Sequence, residues 1–228
     1  MTLHLVDRAE AYSNRTAIVV EEDSYTYSDL LRVSSIVATR LLSGRKNLHA
    51  GRICILVPPG WDYVVTLWGI WRAGGVAVPM AISHPPAELA HVIEDAKPEA
   101  IIAHPTLFAQ INNLADERGL PVLDGSTLSQ EIPLCEIPIV QEEGPSMILY
   151  TSGTTGRPKG VVLTHKNIRS QVESLTVAWG WDHDDHILLH LPLHHVHGIV
   201  NVLLSALWNG STCEIFPQFN AVEVWERL

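Results

Sequence analysis

The feature that most narrows the fold is an alternation of short apolar runs with longer stretches of helical period. Arg52-Ile-Cys-Ile-Leu-Val57 has the length of a strand, is apolar almost throughout and stops at Pro58-Pro59-Gly60. A continuous apolar run suits a strand buried on both faces, whereas a strand with one wet face alternates. Asp62 to Ala73 then reads as a helix ended by Gly74-Gly75, and Val76 to Pro79 as a strand. Pro85 to Ala96 reads as a helix with Pro in its first turn, broken before Pro98. Ala100 to Ala103 is strand, Thr106 to Glu117 helix and Pro121 to Leu123 strand. Residues 124–145 are rich in Glu, Pro, Ser and Gln, show no period and read as a surface connection, a candidate join between subdomains. The alternation then resumes with strands at Ser146 to Tyr150 and Gly160 to Leu163 and a helix at Lys166 to Ala178. His186 to Leu191 (strand), Ile199 to Trp208 (helix) and Thr212 to Phe216 (strand) complete it. The pattern predicts an α/β fold of mostly parallel sheets flanked by helices with right-handed crossovers.

Composition excludes several function classes. With 25 acidic against 15 basic residues the formal charge is −10, and no basic run occurs. That balance argues against a nucleic-acid binder, which neutralises phosphates with Lys and Arg. It leaves a nucleotide site open, because backbone N–H groups can hold phosphate. Cys54, Cys135 and Cys213 are odd in number and far apart, which predicts buried structural thiols in a reducing compartment. The first residues carry acids and no apolar core, so no signal peptide is read there. Ile187 to Cys213 lacks Asp, Glu, Lys and Arg, yet its best apolar stretch is shorter than the about 20 residues a bilayer needs. Asn220 to Leu228 reads as a capped helix with Val222, Trp225 and Leu228 on one face, stopped about two turns in without a stop signal, which predicts a fragment of something longer.

The chemistry concentrates in Tyr150-Thr-Ser-Gly-Thr-Thr-Gly-Arg-Pro-Lys-Gly160. Thr151, Ser152, Gly153, Thr154, Thr155 and Gly156 can turn many N–H and O–H donors on one anion, with glycine allowing close backbone approach. Lys159 adds a point charge suited to phosphate, while Arg157 is as readily a solvated charge. The order is not that of a Walker A loop, because Lys159 follows Pro158 and not Gly, and no GxGxxG occurs. A flexible linker is the plain alternative, but linkers are seldom wedged between two apolar strands.

These residues resemble the TSGTTGxPKG signature of adenylate-forming enzymes at every fixed position. Tyr25-Thr-Tyr-Ser-Asp-Leu30, Arg72-Ala-Gly-Gly-Val-Ala-Val-Pro79 and Leu191-Pro-Leu-His-His-Val-His-Gly198 resemble three further elements of that family, in the family's order. His194 stands where an aromatic is usual. Among branches, the run after Gly74-Gly75 with His84-Pro-Pro-Ala-Glu-Leu89, and the His194-His195 pair, resemble malonyl-CoA and methylmalonyl-CoA synthetases. The resemblance implies residues 1–228 as part of the N-terminal AMP-binding domain, with the C-terminal domain absent. It implies ATP, Mg²⁺ and CoA, a small carboxylic acid as substrate, and cytoplasm or mitochondrial matrix as compartment. Thr151 to Lys159 would cover the outer phosphates, Thr151 would offer a hydroxyl to Mg²⁺, and His195, His197 and Gly198 would line the acyl pocket. The acid that completes the Mg²⁺ site, the ribose aspartate and the adenylation lysine would lie beyond residue 228, so this chain would hold no complete catalytic set and be inactive alone. A generic acyl-CoA synthetase, an adenylation domain serving a carrier protein, and a truncated non-catalytic binding product are the competing readings.

The other histidines read more plainly. His183, His186, His190 and His194 would share a helix face suited to metal, but Ile187 to Leu193 reads as a strand ending at a Pro, where they do not converge. His183 and His186 are expected on a solvated turn with Asp182, Asp184 and Asp185. His194-His195 also begins an HHxxxDG pattern, but Val200 replaces its Asp, which excludes that condensation chemistry. Trp61, Trp68 and Trp71 read as a core stripe, and Lys97, Lys166 and Arg169 as surface charges.

Overall fold

The computed structural model describes residues 3–151 and 157–227. It bears out the α/β reading in two sheets. The N-terminal region supplies α1 (His4–Ala11), the antiparallel pair β1 (Thr16–Val20) and β2 (Asp23–Thr26), and α2 (Tyr27–Leu42). Then come β3 (Arg52–Leu56), α3 (Trp61–Arg72), β4 (Val76–Pro79), α4 (Pro86–Ala96), β5 (Ala100–Ala103), a 3₁₀ turn at Pro105–Leu107, α5 (Phe108–Asp116) and β6 (Val122–Asp124). The antiparallel pair β7 (Pro145–Thr151) and β8 (Lys159–Thr164) leads to α6 (His165–Trp179) and β9 (His186–Leu189). A π-type helix (His197–Leu204) runs into α7 (Ser205–Asn209), followed by β10 (Thr212–Ile215) and α8 (Ala221–Arg227).

One sheet has the order β2-β1-β10-β9 and the other β6-β5-β3-β4-β7-β8. All pairings are parallel except β1–β2 and β7–β8. β3 explains its own composition. Ile53 and Ile55 face the core shared with α2, α3 and the smaller sheet, while Cys54 and Leu56 face a second core with α4 and α5. Both faces are dry, so every position is apolar. No helix among the described residues is long and apolar enough to cross a membrane.

Several expectations change in three dimensions. The 124–145 connection joins β6 to β7, two strands of the same sheet, and lies along α2 through the Arg40 guanidinium on the Gln130 carbonyl at 2.8 Å and the Arg32–Glu131 ion pair. Cys54 and Cys213 are buried as expected, but Cys135 in this connection is exposed. Trp68 and Trp71 are buried, whereas Trp61 is half-buried and stacks on Tyr25, with centroids 4.0 Å apart. Lys97 and Lys166 are surface charges, but Arg169 is half-buried in an ion pair with Glu142 at 2.7 Å. The helix expected from Ile199 begins at His197, so His197 and Gly198 open a helix and do not belong to the loop before it.

Candidate functional site

The parallel strands of both sheets end on a common edge, the usual place for a ligand in open α/β sheets. A cavity of about 270 Å³ lies there. Val57 and Pro59 follow β3, and Met80, Ile82 and Ser83 follow β4. His190 to His194 follow β9, and Phe216, Pro217 and Phe219 follow β10. Its wall is mostly apolar, with Ser83 and the imidazoles of His190 and His194 as polar side chains and no carboxylate, ammonium or guanidinium. That suits a small organic ligand held by neutral donors.

Sequence reasoning nominated His195, His197 and Gly198 for this wall; the structure gives the position to His194. The chain turns at Pro192, leaving Leu193 buried, His194 half-buried and His195 exposed. His197 is exposed on the π-type helix, where its Nδ1 lies 3.2 Å from the Asn201 amide nitrogen. Gly198 is buried for a packing reason, since a Cβ there would stand 2.6 Å from the Pro192 carbonyl oxygen. His194 sits among imidazoles, its centroid 4.0 Å from that of His195 and 5.7 Å from that of His84. His84 Nε2 lies 3.4 Å from Glu88 Oε2. Burial first, then the neighbouring His195 and His84, depress the His194 imidazole to about 4. At neutral pH it is therefore an uncharged hydrogen-bonding group and not a cation.

The β7–β8 ladder ends beside this edge. It pairs Tyr150 with Gly160 and Thr151 with Lys159, so the Thr151 hydroxyl and the Lys159 ammonium belong to cross-strand partners, both exposed. Ser152, Gly153, Thr154, Thr155 and Gly156 lie outside the described residues. Exposed Arg157, Lys159 and Thr151 form a donor set of the right chemistry for a polyphosphate and its cation: two positive charges and a hydroxyl oxygen.

The remaining candidates separate from this edge. His183 stands on an exposed turn with Asp182 and Asp184, and their ligand atoms lie within 4.8 Å of one another. His186, expected on the same turn, instead opens β9 and meets Glu214 at 2.7 Å. The set His183, His186, His190 and His194 forms no common metal grouping among the described residues.

A dry cavity at the carboxyl ends of two parallel sheets, with a hydroxyl-, glycine- and lysine-bearing connection beside it, marks an α/β protein built to hold a small ligand next to an anion. The chain belongs to the AMP-binding enzyme family, whose model matches residues 5–228. It is 40% identical to the mitochondrial malonate–CoA ligase ACSF3 of Xenopus laevis, over 97% of this chain and 40% of that protein. It is 36% identical to the malonate–CoA ligase of Arabidopsis thaliana, over 94% of this chain and 39% of that protein. The fold overlays ATP-bound MatB from Rhodopseudomonas palustris with a TM-score of 0.89 and 25% identity, covering 99% of this chain and 47% of that one. The chain thus spans less than half the length of these relatives.

Proposed function

We propose that this chain supplies the phosphate-gripping strand ends and part of the acid pocket of an ATP-dependent acid–CoA ligase. A carboxylate oxygen attacks the α-phosphorus of ATP, and the bond to pyrophosphate breaks. The CoA sulfur then attacks the acyl carbon, the bond to AMP breaks, and the thiol proton is lost. Lys159 neutralises the outer phosphates, with Ser152, Gly153, Thr154, Thr155 and Gly156 contributing N–H and hydroxyl donors. Thr151 offers an oxygen to Mg²⁺, which when bound draws charge from the phosphate oxygens. Such phosphorus chemistry gains most of its rate from positioning and charge neutralisation.

The acid we assign is malonate or methylmalonate. The observation that carries this is the 40% identity to malonate–CoA ligases across nearly the whole chain. The cavity supports it: its imidazoles are polar but uncharged, which suits a small hydrated acid better than an acyl tail. A second carboxylate still needs a cation, since an unpaired buried charge costs several kcal/mol. The cavity wall holds none, so the cation comes from outside these lining residues. His194 replaces His195 as the side chain positioned to give a supporting hydrogen bond. The compartment is the mitochondrial matrix or cytoplasm, the first being the location in the name of the animal relatives. The test compares kcat/KM for acetate, malonate, methylmalonate and octanoate in a chain of the relatives' full length. Malonate or methylmalonate is expected to lead. Acetate or octanoate matching it would leave a generic acyl-CoA synthetase.

A further inference from the structure

We propose that His91 and Asp95, one turn apart on α4, are positioning residues that pin the two strand ends carrying the phosphate-gripping segment. The proposal rests on the ATP reading above. Tyr150, next to last in β7, donates its hydroxyl to Asp95 Oδ2 at 2.6 Å. The carbonyl of Pro158, which leads into β8, lies 2.8 Å from His91 Nε2, so that nitrogen carries the proton and donates. The His91 and Tyr150 rings meet edge-on at 6.3 Å and 81°. Residues four apart share a helix face, so a single turn of α4 holds both sides of the connection.

Strand pairing alone does not provide this. The ladder ties β7 to β8, but β8 is the edge of its sheet and has no strand beyond it. Only the contacts on α4 fix the far side of the pair against the second core. Gly160 completes the arrangement. It stands opposite Tyr150, and a Cβ there would lie 3.2 Å from Tyr150 Cζ, 3.3 Å from its hydroxyl and 2.9 Å from Ile148 Cγ2. The missing side chain is the space the phenol ring uses to cross toward α4. Burial, then the Asp95 hydrogen bond, raises the Tyr150 phenol well above its ordinary value, so it stays a donor at working pH. A phosphate grip must be held to within about half an ångström to act in the transition state, which is what paired anchors supply.

Amide hydrogen exchange of the 228-residue chain tests the latch, read on peptides covering 157–164 in the wild type, His91→Ala, His91→Gln and Tyr150→Phe. His91→Ala and Tyr150→Phe are expected to speed exchange there while peptides from α2 keep their rates. His91→Gln, whose amide donates from nearly the same place, is expected to restore slow exchange. In a full-length chain, His91→Ala is expected to raise KM for ATP about three- to tenfold, the effect of one neutral hydrogen bond, with KM for the acid within about twofold. Unchanged exchange in both disruptive variants overturns the latch. Faster exchange with an unmoved KM for ATP, or an equal rise for the acid, overturns the positioning role. A wild-type full-length chain that releases no pyrophosphate from ATP is a separate failure, which overturns the proposed function while the exchange arm still decides the latch.

Discussion

His165 is a buried imidazole at the start of α6, edge-on to Trp71, with its Nε2 unpartnered among the described residues. Burial depresses its pKa to about 4. The unfolded chain therefore takes up a proton near the ordinary histidine value of about 6.5 while the folded chain refuses it until near 4. Stability from this group is complete above about 6.5 and falls as pH drops toward 4, by on the order of 3 kcal/mol at most. The expected outcome is a melting temperature that declines over that window, with His165→Phe showing a shallower decline in thermal unfolding followed by circular dichroism. An equal slope in both proteins would assign the acid sensitivity elsewhere. Other residues take structural roles in motifs that read as functional. In the Tyr25 to Leu30 element, the Tyr27 hydroxyl donates to the Ser211 carbonyl at 2.7 Å and so ties α2 to the strand region around β10.

At the scale of elements, the same motif starts a helix. The Thr26 side chain accepts from the Asp29 N–H at 3.1 Å, and the Asp29 carboxylate accepts from the Thr26 N–H at 3.0 Å. This is a reciprocal cap in which each side chain satisfies a donor that a helix start would leave unpaired. The Thr26 hydrogen bonds hold the Asp29 carboxyl below its usual range. Thr26→Ala is expected to cost about 1 kcal/mol, which for a chain of this size lowers the melting temperature by about 2 to 4 °C. Asp29→Asn, which keeps an acceptor, is expected to lose less, and differential scanning calorimetry of the two variants decides it. The β7–β8 pair shows the converse. Its strands were legible from apolar runs on either side of the Gly/Thr segment, but its attachment to α4 depends on partners 55 and 67 residues away in sequence.

At the scale of the whole molecule, the two sheets share one core, which spans α1 to β10 and sets the cavity where their strands end. That cavity contains no cation for a second carboxylate. The resemblance also puts the acid of the Mg²⁺ site and the adenylation lysine beyond residue 228. The expected outcome is that the 228-residue chain, given ATP, Mg²⁺, malonate and CoA, releases no pyrophosphate at an ordinary enzyme rate in a coupled phosphate assay. Turnover at such a rate would mean that the residues within this chain suffice. The exposed faces of Val161, Val162, Val177, Trp179 and Trp225 add to the picture of a chain with apolar surface left uncovered by its described residues.

The sequence by itself determined the parallel α/β class, most strand and helix positions after residue 50, and the segment from Thr151 to Lys159 as an anion grip. Each of these is local: buried strands must be apolar at every position, helices repeat at 3.6, and a run of hydroxyls, glycines and a lysine carries its chemistry in its composition. The first two strands escaped the same reading because β2 is short and polar, and β1 finds its parallel partner β10 across most of the chain. Tertiary structure alone decided that His194 and not His195 lines the cavity, because a turn at Pro192 sets which neighbour faces inward. It alone made Gly198 a packing residue, and it alone brought His91 and Asp95 to the phosphate strands. Periodicity records which face of an element is buried, but which distant element covers that face is fixed only when the sheets close on a common core.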